Sequence, residues 1–238
     1  MEHFTGKIFG CLTDDNLQVK NNALIVLTRL ILTDMIKPKG HISKIAQLVT
    51  DDDASISSSA RLFFVELGKK NNVYIYNYLP DIISNLSGVN GMNEAKFHDM
   101  VNFLFELLEK TRNTESLVTK LCHRFSNTTD ERIWRDLSYC LSQLQYNDRA
   151  MINLMNNFSC FANSLYCDII FDNFMTILNN ARKNGTIKSE SKIVLDEMES
   201  RMNEIRSKAK SNDEQNGNTI EENENQEIIC DQDENAAN

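Results

Sequence analysis

Residues Leu12 to Leu30, LTDDNLQVKNNALIVLTRL, return 37 positions later within Leu48 to Leu67, LVTDDDASISSSARLFFVEL. At the same offset, the apolar run 42–49 aligns with the apolar run 79–86. The repeating unit is therefore long enough for two helices and their connections. Self-similarity at a fixed period of this length is typical of an α-solenoid, in which stacked helix pairs bury one continuous core.

Each copy begins with a helix start signal and continues with one apolar stripe. Asp14 to Asn16 and Asp51 to Asp53 offer side-chain oxygens to the unpaired N–H groups of a helix start. Ala23 and Ala60 are predicted to be the small positions where packed helices approach closely. The predicted stripe of the first copy is Val19, Ala23, Val26, Leu27 and Leu30. Among known repeats the period is closest to the HEAT class of about 40 residues.

Helical periodicity continues along most of the chain. We predict helices at about 17–35, 41–49, 55–69, 73–86, 114–126, 147–157, 163–183 and 187–209, with two more over Phe97 to Leu108 and from Asp130 onward. Pro80 lies either near the first turn of a helix that starts at about Tyr78 or inside a longer helix that it kinks, and we favour the first because Asn77 can cap that helix. Trp134 is predicted to lie in the core. The last helix has a thin stripe, Ile193, Val194, Met198, Met202 and Ile205, as expected for the end of an array.

The bulk composition supports an all-α protein. The 238 residues are 41% hydrophobic and include only two prolines and eight glycines. No apolar stretch reaches the roughly 18 residues of a membrane span, so no membrane association is expected. Six scattered cysteines suit reduced thiols in the cytosol or nucleus. We predict an α-α superhelix, a HEAT-repeat solenoid, over residues 1–210.

Charge divides the chain into two parts. Residues 211–238 contain nine acidic side chains and no basic one, whereas acidic and basic residues balance in residues 1–210. This acidic, asparagine-rich segment cannot bury enough apolar surface to offset its ordering entropy. We therefore predict a disordered acidic tail over 211–238, which could attract a basic partner such as a histone or shield a basic face.

Catalytic and metal-binding patterns are missing from the sequence. Cys122 and His123 are adjacent, but neighbouring side chains on a helix point about 100° apart and do not share a ligand. No CxxC or HxxxH spacing, glycine-rich phosphate loop or GxSxG elbow is present. We expect no catalytic residue, no cofactor, no metal site and no small-molecule substrate, and thus no enzyme.

Basic clusters near the connections are the remaining candidates for function. Each is explained most simply as a solvated helix end, where cations favour the negative end of the dipole. Contact with DNA or chromatin is the functional alternative, although a neutral folded region is unlike a dedicated nucleic-acid binder. The candidate contact residues are Lys37, Lys39, Lys44, Lys69, Lys70, Arg182, Lys183, Lys188 and Lys192.

Four segments resemble one family closely. They are LTRLILTDMIKPKGHISKIAQLVTD (27–51), FFVELGKKNNVYIYNYLPDIISNLS (63–87), TESLVTKLCHRF (114–125) and ERIWRDLSYCLSQL (131–144). The chain is similar, from about residue 10 to 205, to the C-terminal region of the D-type HEAT subunits of condensin. Their full-length members are several times longer, so we expect this chain to be the C-terminal piece of a longer array.

The resemblance implies a non-catalytic regulatory subunit of condensin, which compacts mitotic chromosomes in the nucleus, with a cytoplasmic pool possible. In that family the HEAT subunit binds a kleisin chain and contributes to contacts with DNA and chromatin. ATP hydrolysis belongs to the structural-maintenance-of-chromosomes (SMC) ATPases that the kleisin bridges. Proline-directed phosphosites are absent here, because Pro38 follows Lys37 and Pro80 follows Leu79. The alternative is a transport or adaptor solenoid, similar to karyopherins or adaptins, that binds peptide segments.

Overall fold

The repeat seen in the sequence recurs as local geometry in the computed structural model of the protein. The structure describes residues 2–38, 40–89, 91–108, 114–183 and 192–208. Short 3-10 turns lie at Cys11–Thr13 and Leu48–Thr50, also 37 residues apart. The predicted tail and its division from the array lie outside the described residues.

Both predicted helix starts are confirmed, with the same hydrogen bonds at the same offset. The Asp14 carboxylate accepts from the Asn16 N–H at 2.9 Å, and the Asn16 side chain accepts from Gln18 N–H at 2.9 Å. In the second copy Asp51 accepts from Asp53 N–H at 3.0 Å, and Asp53 accepts from Ser55 N–H at 2.9 Å. Two acidic or amide side chains in series thus satisfy the N–H groups that a helix start leaves unpaired.

Within the described residues, the regular elements are helices arranged in two layers. The helices are α1 (Glu2–Gly10), α2 (Leu17–Leu32), α3 (Ile42–Gln47), α4 (Ala54–Lys70), α5 (Asn72–Leu86), α6 (Glu94–Glu106), α7 (Thr114–Phe125), α8 (Glu131–Ser142), α9 (Asp148–Asn156), α10 (Phe158–Phe161), α11 (Asp168–Lys183) and α12 (192–208). The first layer contains α2, α4, α6, α8 and α11, and the second contains α3, α5, α7 and α9. This alternation is the all-α solenoid that the repeat predicts.

Contacts between the ends of the helices fix the direction of each layer. The start of α2 contacts the start of α4 through Lys20 and Asp51, at 3.1 Å. The end of α4 contacts the end of α2, because Lys70 Nζ donates to the Leu32 carbonyl at 2.7 Å and to Asp34 at 2.5 Å. The starts of α6, α8 and α11 also contact their neighbours at this edge, so first-layer helices begin at one edge of the solenoid and end at the opposite edge.

The core runs between the two layers and is rich in phenylalanine. Phe63 and Phe64 of α4 are fully buried, and their rings meet edge to face at 5.0 Å. Farther along the array the rings of Phe161 and Phe174 stack at 4.1 Å. Ala60 is fully buried and Ala23 is 7% exposed, which confirms both as small positions in packed helices. Trp134 lies against this core but is only half-buried, and its indole N–H donates to the carbonyls of residues 125 and 128.

The predicted stripe of α2 is partly wrong. Val19 and Val26 are 37% and 47% exposed, whereas Leu24 and Ile31 are buried. The aligned residues of α4, Ile56 and Phe63, are buried. The two helices thus share their caps but bury faces that are rotated relative to each other. Sequence alignment cannot detect this rotation because both sets of positions are apolar.

Three other predicted details also differ from the structure. Pro80 lies inside α5, which starts at Asn72 and is capped by the Asn71 side chain, so the predicted start near Tyr78 is wrong. The helix predicted from residue 163 begins at Asp168, after the short α10 and a 3-10 turn. In α12 Ile193 is 70% exposed, while Leu195 is buried beside Met198 and Met202.

Candidate chromatin-facing surface

The edge at which first-layer helices begin is acidic, and we call it the acidic edge. Its side chains cap the helices or lie in their first turns, where negative charge favours the positive end of the helix dipole. Lys20 pairs with Asp51 at 3.1 Å, and Lys96 pairs with Asp52 at 2.7 Å, which lowers the pKa of Asp52. The residues of this edge are Asp14, Asp15, Asp51, Asp52, Asp53, Glu94, Asp130, Glu131 and Asp168.

The opposite edge, at which first-layer helices end, holds the predicted basic residues, and we call it the lysine edge. Lys37 is exposed in the connection between α2 and α3, and Lys44 is half-buried within α3. Lys183 and Lys192 are exposed beside the connection between α11 and α12. Lys39 and Lys188 lie outside the described residues. The array therefore brings residues that are about 150 positions apart in sequence to one edge.

Three of the nine predicted residues are engaged in ion pairs. Lys69 pairs with Glu66 at 2.8 Å, and Lys70 pairs with Asp34. The Arg182 guanidinium pairs with Asp196 at 2.8 Å and with Glu199 at 2.5 Å, so it joins α11 to α12. These ion pairs favour a structural role for the three residues over a role in DNA contact, since each cation neutralises a carboxylate of the same chain.

Lys37 and Lys44 are different, because no carboxylate lies within 4 Å of either ammonium among the described residues. Lys37 borders a cleft of about 190 Å³ whose walls include Tyr74 and Tyr78. A tyrosine hydroxyl is protonated at neutral pH, and burial raises the pKa of Tyr78 further, so this hydroxyl is a hydrogen-bond donor. An unneutralised cation beside two tyrosines can contact a phosphate or a base, so this part of the lysine edge is the best candidate for DNA contact.

Comparison with known proteins identifies the family. The sequence profile of non-SMC mitotic condensation complex subunit 1 matches residues 1–142. The chain belongs to the condensin subunit 1 family. It is 40% identical over 203 residues to condensin complex subunit 1 of Mus musculus, which covers 85% of this chain and 14% of the mouse protein.

Relatives from plants and yeast agree with this assignment. The condensin-1 complex subunit CAP-D2 of Arabidopsis thaliana is 37% identical over 214 residues, covering 90% of this chain and 15% of the plant protein. Condensin complex subunit 1 of Saccharomyces cerevisiae is 33% identical over 151 residues, covering 63% of this chain and 13% of the yeast protein. The chain thus spans a small fraction of the length of these condensin subunits, and the matches do not favour the transport or adaptor alternative.

The condensin-family array shows little that could perform chemistry in the part of it that is described. Cys122 is fully buried, which raises the pKa of its thiol, while His123 beside it is exposed. No group of three or more potential metal ligands occurs among the described residues. The described helices are also too short or too polar to cross a membrane.

Sequence analysis missed a buried polar group at the connection between α5 and α6 of this condensin-family chain. Asp136 of α8 is 1% exposed, and its Oδ2 accepts from the Ser87 hydroxyl at 2.7 Å. Burial raises the pKa of Asp136, and burial lowers the pKa of nearby His98, whose ring stacks on Tyr139 at 3.5 Å. Ser87 and Asp136 are 49 positions apart in the sequence, so no local sequence pattern predicts their contact.

Proposed function

We propose that this chain acts as part of a non-catalytic HEAT-repeat scaffold of condensin, in mitotic chromosome condensation and chromatin association. The family profile over residues 1–142 carries this proposal. Its partners are then the kleisin and the SMC ATPases, which hydrolyse the ATP. Its place is the nucleus, on chromosomes in mitosis, with a cytoplasmic pool at other times. A solenoid suits such a role because it offers long surfaces to several partners at once.

The contact with chromatin is proposed to use the lysine edge near Lys37. Lys37 and Lys44 have no carboxylate partner among the described residues, and Tyr74 and Tyr78 lie beside Lys37. The acidic edge repels a phosphate backbone, so it directs DNA to the other side of the array. A basic histone segment fits the acidic edge or the acidic sequence 211–238 instead.

Affinity purification of the tagged protein from mitotic cells, with mass spectrometry of what stays bound, tests the assembly role. Recovery of a kleisin together with two SMC ATPases is the expected result. Recovery of nuclear-transport or coat proteins would favour the adaptor alternative. Recovery of neither group of proteins would contradict the proposal. It would indicate that this chain has the HEAT-repeat fold but lacks a surface that binds condensin partners.

The DNA contact is tested by charge reversal on the lysine edge. We expect the triple change Lys37→Glu, Lys39→Glu, Lys44→Glu to weaken binding to duplex DNA and to chromatin. Each lost phosphate contact should flatten the plot of log affinity against log salt by about 0.9. Fluorescence anisotropy over a salt series measures both effects.

A matched pair of single changes separates local contact from net charge. Lys37→Glu and Lys7→Glu change the total charge equally, and both side chains are exposed. Lys7 lies near the end of α1, which leads to the acidic edge. If the two variants lose affinity equally, the effect is one of net charge and the Lys37 contact is wrong.

A further inference from the structure

A cavity of about 350 Å³ opens on the lysine edge, in the middle of the array. It lies between the C-terminal ends of α6 and α8 and the N-terminal parts of α5 and α7. Phe105, Leu117 and Leu144 provide apolar walls. Its volume is near the lower end of the roughly 300–1,000 Å³ of ligand pockets, which suits one or two side chains of a bound segment.

Tyr76 forms part of the inner wall of the cavity. Its side chain is 9% exposed and lines the cavity, and its hydroxyl has no hydrogen-bond partner among the described residues. A buried polar group without a partner destabilises the fold. The ammonium of Lys120 lies 5.6 Å from the ring centroid, so this cation meets the ring face and leaves the hydroxyl unpaired.

Three amide side chains line the same cavity. Asn102 Oδ1 accepts from the Tyr139 hydroxyl at 2.9 Å, which leaves its NH₂ group as a donor. Gln143 Nε2 donates to Ser142 at 3.2 Å, which leaves its carbonyl oxygen as an acceptor. Gln145 is exposed and has no hydrogen bond through its side chain to the described residues. Paired donors and acceptors of this kind match the N–H and C=O groups of a peptide main chain.

The charge of the cavity narrows the class of ligand. Glu106 is the charged residue among the described lining residues, and no cation lies within 4 Å of its carboxylate in the described part of the chain. An unneutralised carboxylate repels phosphates and attracts lysine or arginine. Nucleic acid, which suits the Lys37 cleft on the same edge, therefore does not suit this cavity.

We propose that this cavity binds an extended peptide segment of a partner protein that carries a lysine or arginine. The main chain of the segment pairs with Asn102, Gln143 and Gln145, and its basic side chain pairs with Glu106. An apolar neighbour in the segment contacts Phe105 and Leu117. The proposal rests on the condensin role proposed above, because a condensin partner supplies the segment.

Short overlapping peptides that cover the kleisin subunit of the same organism are the probe, titrated against the full chain by fluorescence anisotropy. At least one peptide with a lysine or arginine should bind saturably. Gln145→Leu should weaken it by about twofold to tenfold, the range of one hydrogen bond. Gln18→Leu is the control, because Gln18 is an exposed amide at the acidic edge and should leave binding unchanged.

The role of Glu106 is tested by pairing two changes. Glu106→Gln in the protein and lysine to glutamine in the peptide should each weaken binding. When both changes are made, binding should be no weaker than with either change alone. Additive losses would overturn the ion pair, and a peptide whose binding ignores all the cavity variants would overturn the site. If no peptide saturates while the intact kleisin still copurifies with the chain, this inference fails and the condensin role stands. If the kleisin is not recovered either, both fail.

Discussion

Asp136 shows what a single buried side chain does in this array. Its carboxylate accepts from the Ser87 hydroxyl at 2.7 Å, so it holds the connection between α5 and α6 against α8. Its other oxygen has no hydrogen-bond partner among the described residues. The positive charge of Arg132 and the imidazole of His98 lie near enough to favour the ionised form, but burial outweighs them and raises the pKa of Asp136.

The raised pKa predicts a pH dependence of stability. The folded protein holds the Asp136 proton more tightly than the unfolded chain, in which the pKa is about 3.9. The free energy of unfolding therefore falls as the pH rises from about 4 through the higher pKa of the folded state. Asp136→Asn keeps an acceptor for Ser87 but cannot ionise, so its stability relative to the wild type should increase over this range. Urea unfolding at a series of pH values measures the difference.

An exposed aspartate provides the comparison for that experiment. Asp172→Asn in α11 removes the same charge from an exposed position and should follow the wild-type profile. His98 interacts with the Asp136 carboxylate, so the titration of its imidazole is part of the difference between Asp136→Asn and the wild type. Parallel profiles for the wild type and Asp136→Asn would show that the burial of Asp136 has no effect on its titration.

At the scale of the element, α4 is packed on several sides within the repeat. It contacts α2, α5 and the Leu48–Thr50 turn, and Arg61 lies 4.8 Å from the ring centroid of Phe103 in α6. Ala60 is fully buried among these neighbours. A larger side chain there must displace α4 from at least one of them.

We therefore expect Ala60→Leu to lower the free energy of unfolding by roughly 1–3 kcal/mol, because extra volume in a packed core forces strained rotamers or backbone shifts. Ser58→Leu adds a leucine to the exposed side of the same helix and should change stability little. Thermal unfolding compares the two. An unchanged melting temperature for Ala60→Leu would show that the site has room for a larger side chain.

At the scale of the whole molecule, the two layers sort charge between the two edges. Residues 1–210 contain equal numbers of acidic and basic side chains, yet the acidic starts of the first-layer helices lie at one edge and the basic ends of α4 and α11 lie at the other. The cause is that every first-layer helix runs in the same direction, so the preference of each dipole for charge adds along the array. The neutral composition conceals this separation.

This separation predicts that the position of an added charge matters more for DNA binding than its amount. Asn179→Lys with Asn180→Lys adds two charges near the end of α11, at the lysine edge. Asp15→Lys with Glu94→Lys changes the net charge by twice as much at the acidic edge. We expect the asparagine variant to bind duplex DNA more tightly, as measured by anisotropy at low salt. Tighter binding by the acidic-edge variant would place the DNA contact elsewhere.

The sequence was sufficient for features that depend on local hydrogen bonding and on period. The caps at Asn16 and Asp53 were predicted because a side-chain oxygen beside a helix start acts on N–H groups within three residues. The predictions were wrong for Pro80 and for the exposed faces of α2. Both were decided by neighbouring helices, since tertiary packing can retain a proline inside α5 and can choose which apolar face of α2 is buried.

The sequence by itself determined the class of fold, the 37-residue unit and the resemblance to condensin HEAT subunits, because periodicity and local motifs are encoded in neighbouring residues. Only the tertiary structure decided which charges are neutralised, such as Lys70 by Asp34 and Arg182 by Glu199, and which remain available, such as Lys37. It alone assembled the cavity at Tyr76 and Glu106 from four helices. The physical reason is that ion pairs and cavities depend on distances between elements, and those distances are set by how the layers pack.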